Sequence, residues 1–272
     1  MSLSWRDRLY VALSPARVDV MRVAGVLRPS AEYLELMPGI EVVAQAAWRG
    51  PLHALSEALP RLAPRGARCA VVLSNHFCRY VLVPGNADLA DGREMEAYAR
   101  LKLEETYGAA AVASWDVCVA RAAPGASRLA CAVDTNLMKE LRSVCRAAKV
   151  KLASVRPLLA ASFDQSRSRF ASGKFWFASA EAGRVCLAAV ENYAWRSVTS
   201  QRIGRNLTEE LRGMLDRAFV SSPGVRTDTV YLFSRDQSGD RARCLPGVTV
   251  LPLTGREDRT GQSDAARGRV FA

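Results

Sequence analysis

Along the chain, short apolar runs bounded by turn residues alternate with stretches of helical spacing. In the central block, residues 67–73 and 77–83 read as two strands joined at Ser74-Asn75-His76, and Pro84 closes the second. Residues 94–107 have helical character, and Gly108 stops them. Residues 115–121 and 128–133 read as a second hairpin around Pro124-Gly125. Asp134 caps a helix to about Ala148, with Leu137, Leu141, Val144, Cys145 and Ala148 on one apolar face. Residues 151–157 return as a strand. Hairpins that alternate with helices predict sheets packed on helices, a hairpin-rich α/β class.

Toward the N terminus, residues 9–13 and 18–23 are apolar runs around the turn Ser14-Pro15-Ala16-Arg17. Residues 33–36 and 41–47 offer one or two more strands. Pro51 opens a helix over 52–59, and Pro60 is expected to end it. Beyond the central block, residues 158–170 read as helical and Ser172-Gly173 marks a boundary. Residues 174–180, 184–190 and 195–203 read as three antiparallel strands, the last two separated by the turn Glu191-Asn192-Tyr193. Asn206 caps a helix from Leu207, with Glu209 placed as in a capping box and Leu211, Met214, Leu215 and Ala218 as its buried stripe. Pro223-Gly224 breaks that helix, and 229–233 and 248–253 are strands. Residues 254–272 are polar and rich in Gly, Arg, Asp and Ser, and are expected to form a disordered tail. Residues 8–24 and 174–203 each begin with a hairpin and continue with alternating helices and strands. That is a coarse duplication, and two such halves facing each other would make a cleft.

Charge narrows the partners without choosing one. Lys and Arg number 38 against 27 Asp and Glu, a net +11. That balance favours nucleic acid, a phospholipid surface or an acidic protein. On the 135–148 helix, Lys139, Arg142, Arg146 and Lys149 lie off the apolar face, as a solvated surface or a docking surface for acidic groups. Cys69, Cys78, Cys118, Cys131, Cys145, Cys186 and Cys244 form no CxxC pair, which suggests reduced thiols in a cytoplasmic protein. The start of the chain is too charged for a signal peptide, and no stretch approaches the roughly 18 apolar residues of a membrane span.

The common catalytic signatures are missing. His53 and His76 are the two histidines, without HExxH or HxH spacing, so a zinc site is not expected. GxSxG, GxxxxGK[ST] and GxGxxG do not occur. Glu104-Glu105 and Glu209-Glu210 read as solubilising pairs on helix faces. Phe77, Arg79 and Tyr80 cluster in sequence but divide between two strand faces, a weak nucleic-acid signal.

Three stretches carry a resemblance: "VVLSNHFCRYVLVP", "EMEAYARLKLEETYG" and "LACAVDTNLMKELRSVCRAAKVKLASVRP". Together they resemble the PilM family, actin-like proteins of type IV pilus assembly. Its relatives are the cytoplasmic part of GspL in type II secretion and the MSHA-pilus protein MshI. The likeness is strongest over 67–160 and extends over 8–24 and 174–233, although Ala147-Ala148-Lys149-Val150 departs from the family's helix end. It implies an actin-like, ribonuclease-H-like fold of two halves with mixed sheets flanked by helices. The first half would cover 1–170 with an inserted subdomain over about 85–157. A reduced second half would cover 171–253, followed by the tail 254–272.

The resemblance also places nucleotide positions, and most are altered. In the first hairpin, residues 12–19, Ala12 replaces the Mg²⁺-orienting Asp, Ser14 replaces a Gly, Pro15 removes a donor, and Asp19 stands where Lys is usual, with a side chain that could face solvent. In residues 179–193, Ser179 replaces the second Asp and Glu181 replaces a Gly, where a carboxylate repels phosphate. The adenosine turn would fall at Leu232-Phe233-Ser234-Arg235, without glycine. Ser14, Arg17, Ser179, Glu181 and Ser234 thus mark degraded nucleotide positions, and neither ATPase activity nor a cofactor is expected. The expected function is a non-catalytic cytoplasmic scaffold, held at the inner membrane through a partner. That partner would be a short segment of a PilN-like or GspM/GspE-like protein. Candidate partner positions are Tyr98 and Leu101 beside Arg93, Arg100 and Lys102, and the basic face at Arg142, Arg146 and Lys149. Two other classes remain open: a divergent ATPase or sugar-kinase-like enzyme, for which ATP and Mg²⁺ would be the cofactors, and a basic nucleic-acid-binding protein.

Overall fold

A computed structural model describes residues 8–24, 30–38, 46–85, 92–123, 125–204, 206–221, 227–234, 244–245 and 247–253. The first elements are β1 (Arg8–Leu13), β2 (Val18–Ala24), β3 (Ser30–Leu36), α1 (Arg49–Leu62), β4 (Arg68–Leu73) and β5 (Cys78–Val83). Then come α2 (Gly92–Tyr107), α3 (Ala109–Val112), β6 (Trp115–Val119), β7 (Arg128–Asp134), α4 (Thr135–Ala147) and β8 (Lys151–Pro157). α5 (Leu158–Ser166) runs into a 3-10 turn, Arg167–Arg169. The chain closes with β9 (Lys174–Glu181), β10 (Arg184–Glu191), β11 (Ala194–Arg202), α6 (Leu207–Ser221), β12 (Thr229–Ser234), β13 (Cys244–Leu245) and β14 (Val248–Pro252). The strand expected over 41–47 and the tail at 254–272 fall largely or wholly outside the described residues.

The described residues divide into two compact units. One draws on Met1–Phe77 and Asp134–Ala161, the other on Cys78–Val133 and Ser162–Thr254. The first unit holds a sheet of order β3-β2-β1-β4-β8. β1 pairs antiparallel with β2, β2 antiparallel with β3, β1 parallel with β4, and β4 parallel with β8. The second unit holds a sheet of order β11-β10-β9-β12-β14-β13. There β9 and β10, and β10 and β11, pair antiparallel, while β9 and β12, and β12 and β14, pair parallel. Strand for strand, the first five positions match in order and direction. The duplication read from the two hairpin starts is therefore a duplication of topology.

One expectation is corrected. Strands 67–73 and 77–83 do not form a hairpin: β4 lies between β1 and β8, while β5 pairs with β7 in a small sheet of order β5-β7-β6. Both edges of β4 are already occupied, so β5 has no ladder to join there. The buried link continues the first sheet, with Ser74 N donating to Leu13 O at 2.9 Å. The inserted region was expected over about 85–157. The small sheet and its helices occupy 78–133, whereas α4 packs on α1 and β8 extends the first sheet. The small sheet belongs to the second unit, with β5 against β11. A smaller difference concerns α1, which runs through Pro60 to Leu62. Pro60 stands in the last turn, where its missing N–H leaves only the Ser56 carbonyl without a helical donor.

Helical spacing decides what each helix buries. α1 buries Leu52, Leu55, Ala58 and Leu59, and α4 buries Leu137, Leu141 and Cys145. α6 covers one face of the second sheet through Leu207, Leu211, Met214 and Leu215 against Trp176, Ala178, Val185, Leu187 and Leu232. Each fully buried Leu stabilises by about 1.5–3 kcal/mol. On the small sheet, α2 buries Met95, Ala99 and Leu103. The β10–β11 turn places Asn192 at φ 50° and Tyr193 at φ 63°, the two positive angles of a type I′ hairpin. For a tyrosine this conformation costs about 1–2 kcal/mol. Arg167 stacks over the ring at 5.1 Å, and the Tyr193 hydroxyl donates to Phe170 O at 3.4 Å, which offsets the strain.

Candidate functional site

The turn between β1 and β2 is closed by its own residues. Ser14 N donates to Arg17 O at 3.0 Å, and Ser14 Oγ donates to the same oxygen at 2.6 Å. Pro15 has no donor to offer. The Arg17 side chain turns back onto β2, with Nε 3.2 Å from Asp19 Oδ2 and a guanidinium nitrogen 3.6 Å from Glu35 Oε1. Asp19 does not face solvent, as its sequence position allowed, but is 3% exposed. It also accepts a hydrogen bond from the Tyr33 hydroxyl of β3. Burial, reinforced by that hydrogen bond and the carboxylate charge, pushes the Tyr33 pKa well above the usual phenolic range.

At the matching place in the second unit, Ser179 and Glu181 end β9 and Ser234 ends β12, and all three are buried. Register sets Ser179 beside Phe233 and Glu181 directly opposite Arg184. Arg184 is 6% exposed, and its guanidinium donates to Ser200 Oγ at 3.0 Å. Burial lowers the Arg184 pKa, and the positive charges of Arg79 and Arg202 act in the same direction. Cys186, next along this face of β10, has its thiol pushed up to about 12, chiefly by burial. Glu181 therefore stands across the ladder from Arg184, the two on either side of the Ala182-Gly183 turn, where Gly183 has φ 79°. Sequence reading did not single out Arg184. Its signal was a charged residue heading the otherwise apolar run "RVCLAAVE".

The candidate partner positions fall on two separate helices. On α2, Tyr98 is half-buried against the small-sheet core, while Leu101 is 59% exposed. Arg100 folds onto the carbonyls of Val112 and Trp115 at 3.3 and 3.4 Å, and Lys102 binds Glu105 at 2.8 Å. Two of the three basic neighbours expected at a groove rim thus bind within the unit. On α4, Arg142 and Arg146 are exposed, away from the buried Leu137–Leu141–Cys145 stripe. Lys149 follows the helix at φ 56°, a left-handed position usually held by glycine, and Val150 N donates back to Cys145 O at 2.9 Å.

Buried asparagine chemistry was missed by sequence reading. Asn75, placed there in a plain turn, is fully buried, and its Oδ1 accepts from Leu159 N in the first turn of α5 at 3.1 Å. Among the described residues no group of three or more His, Cys, Asp or Glu side chains is arranged to hold a metal ion. His53 is exposed and 3.7 Å from Glu57. An open depression of about 580 Å³ is lined by Phe219, Thr227, Asp228 and Gly247, none of them a candidate residue. No helix among the described residues is long and apolar enough to cross a membrane.

Two sheets of the same mixed order, each flanked by helices, define the actin-like fold, and solved structures bear this out. The chain is similar to a chain of the PilM–PilN type IV pilus biogenesis complex, with a TM-score of 0.62 and 14% identity over 90% of this chain and 88% of that one. It is similar to a Bacteroides thetaiotaomicron protein of actin-like ATPase fold and unknown function, with a TM-score of 0.62 and 12% identity over 91% of each chain. It is also similar to the cytoplasmic domain of EpsL, an inner membrane component of the Vibrio cholerae type II secretion system. There the TM-score is 0.53, with 12% identity over 90% of this chain and 85% of that one. The resemblance read from the sequence therefore holds at the level of the fold. No protein-family profile matches the chain, and no curated protein matches it.

Proposed function

We propose that this chain is a non-catalytic, actin-like scaffold at the cytoplasmic side of a pilus or secretion assembly platform, where it docks a short segment of an inner-membrane protein. The observation that carries the reading is the self-closed β1–β2 turn. A phosphate-binding hairpin must present free backbone N–H groups. Here Ser14 turns its N–H and its hydroxyl onto Arg17 O, and Pro15 has no N–H. In the second unit, Glu181 adds a carboxylate where phosphate would approach. A chain that does not hold nucleotide acts through its surface. The PilM–PilN complex is a precedent for such binding in a protein of this fold.

Calorimetric titration tests the first part. Mg-ATP should bind no tighter than about millimolar, some 4 kcal/mol. A micromolar dissociation constant would reject the scaffold reading in favour of an ATPase. The docking part rests on Leu101, whose exposed apolar side chain stands on a helix with a buried opposite face. Leu101→Ser should abolish capture of an inner-membrane assembly protein from membranes and leave the melting temperature unchanged. Reversing Arg142 and Arg146 should slow association without unfolding, because exposed charges act chiefly on the on-rate. Undiminished capture by all three substitutions removes both surfaces from consideration.

A further inference from the structure

The first unit carries a row of positive charge at one end of its sheet. β1, β4 and β8 run parallel, and the register sets Arg8 beside Arg68 and Arg68 beside Lys151. The three side chains therefore leave the same face about 4.8 Å apart, in a row roughly 10 Å long. All three are exposed, whereas Leu9 and Cys69, one position on, are fully buried on the other face. Two loops extend the row. Gly66 N donates to Lys149 O at 2.8 Å, and Lys151 N donates to Ala67 O at 2.8 Å. These bonds bring the exposed Arg65 and Lys149 to the same end of the sheet. Residues 58–77 and 141–163 hold eight Arg and Lys and no Asp or Glu. Among the described residues, none of Arg8, Arg65, Arg68, Lys149 and Lys151 has a carboxylate partner. Like charges on neighbouring strands repel, and an anionic surface laid across them relieves that repulsion.

We propose that this end of the first unit lies directly on an anionic phospholipid surface. The row has charge but no apolar anchor. The exposed large hydrophobic side chains are Tyr33, Leu34, Met37, Leu101, Tyr107, Val220 and Leu251, none of them on β1, β4, β8 or the two loops. A protein segment draws most of its affinity from such anchors, whereas a layer of lipid headgroups asks only for clustered Lys and Arg. Single-stranded nucleic acid stacks its bases on aromatic side chains, and residues 58–77 and 141–163 contain no Tyr or Trp. The choice of lipid over duplex nucleic acid rests on the scaffold reading, which puts the chain at a membrane. The row is separate from the closed β1–β2 turn: β1 and β4 each run six residues from it to the Ser14 and Ser74 end, roughly 20 Å.

The test is co-sedimentation of the full chain with vesicles of phosphatidylcholine alone or of phosphatidylcholine mixed with phosphatidylglycerol. Binding is expected on the anionic vesicles only. Each Lys or Arg near such a surface multiplies partitioning about fivefold, the equivalent of roughly 1 kcal/mol. Arg68→Gln combined with Lys151→Gln should therefore cut partitioning about 25-fold, and both side chains are exposed, so the fold should be kept. If that pair fails to fold, Arg8→Gln, with an expected loss of about fivefold, decides alone. Arg121→Gln combined with Arg212→Gln removes the same charge from exposed positions in the second unit and should leave binding within about twofold. Arg142 and Arg146, which the docking reading uses, stay in place, and neither nucleotide nor a protein partner is present. A failure here is thus distinct from a failure of the scaffold reading. Equal binding to the two kinds of vesicle, an unchanged Arg68/Lys151 variant, or an equal loss in the Arg121/Arg212 control overturns the proposal. A DNA duplex at equal phosphate concentration, or oligoglutamate at equal carboxylate concentration, that binds more strongly than the anionic vesicles assigns the row to nucleic acid or to an acidic protein and overturns the lipid contact.

Discussion

Asn75→Ala tests the long-range contact that ties β4 to α5. Asn75 is fully buried, and its Oδ1 accepts the Leu159 N–H at 3.1 Å. Leu159 is itself fully buried, so water cannot replace the lost acceptor. Leaving a buried backbone N–H without a partner costs about 1–3 kcal/mol, and losing a helix cap typically costs about 1. We take about 2 kcal/mol for the substitution. Unfolding entropy of about 2.1 cal/mol/K per residue gives roughly 0.6 kcal/mol/K for a 272-residue chain. A loss of about 2 kcal/mol then lowers the melting temperature by roughly 3–4 °C. Because two compact units need not melt together, a local readout is required alongside the global one. Amide exchange at Leu159 supplies it, and about 2 kcal/mol corresponds to roughly thirtyfold faster exchange. A melting temperature within about 1 °C of the parent, with Leu159 still protected, would refute the reasoning.

Tyr33 predicts an alkaline limit for the first unit. Its pKa is raised in the folded chain, so its contribution is complete below the unfolded value of about 10 and is lost as pH rises through the folded value. Tyr33→Phe should flatten the loss of melting temperature above pH of about 10, and an unchanged alkaline slope counts against the Tyr33–Asp19 bond. Asp134→Ala removes the cap of α4, where Oδ1 accepts from Asn136 N at 2.7 Å, and should cost about 1 kcal/mol in chemical unfolding. The same substitution frees Trp48 Nε1, now 3.3 Å from Asp134 Oδ2, so Trp fluorescence should shift, and a stationary spectrum would discount that contact.

Local structure was legible wherever a local signal decided it. Asp134 capped α4 and the Leu137–Leu141–Cys145 stripe was buried, both as spacing required. Asn206 accepts from Glu209 N at 3.3 Å at the start of α6, but the reciprocal half of the capping box is not what Glu209's neighbourhood records. It is Glu210 that reaches back, accepting from Gln201 and Gly204. Strand pairing was less legible. Alternation identified β4 and β5 as strands, but it cannot say which edges are free, and β4's second edge is taken by β8 from far along the chain. Asp19 was misplaced because a lone acid in a strand ordinarily faces water. Its burial depends on Arg17, two residues away, and on Tyr33 of a different strand, and no short window contains Tyr33.

The matched topology of the two sheets makes the contrast between their hairpins informative. In the first unit, the ionic groups at the hairpin close on one another. Arg17 meets Asp19 at 3.2 Å and Glu35 at 3.6 Å, so each positive charge there has a carboxylate. In the second unit, the register puts Arg202 and Glu181 on opposite sides of Arg184, and Arg79 adds a further positive charge. A shared order of strands therefore does not impose a shared electrostatic state. In the first hairpin the one guanidinium is already held by two carboxylates, Asp19 and Glu35. The second retains a buried guanidinium with an open donor at Nε. Desolvation makes that donor costly to leave unmade.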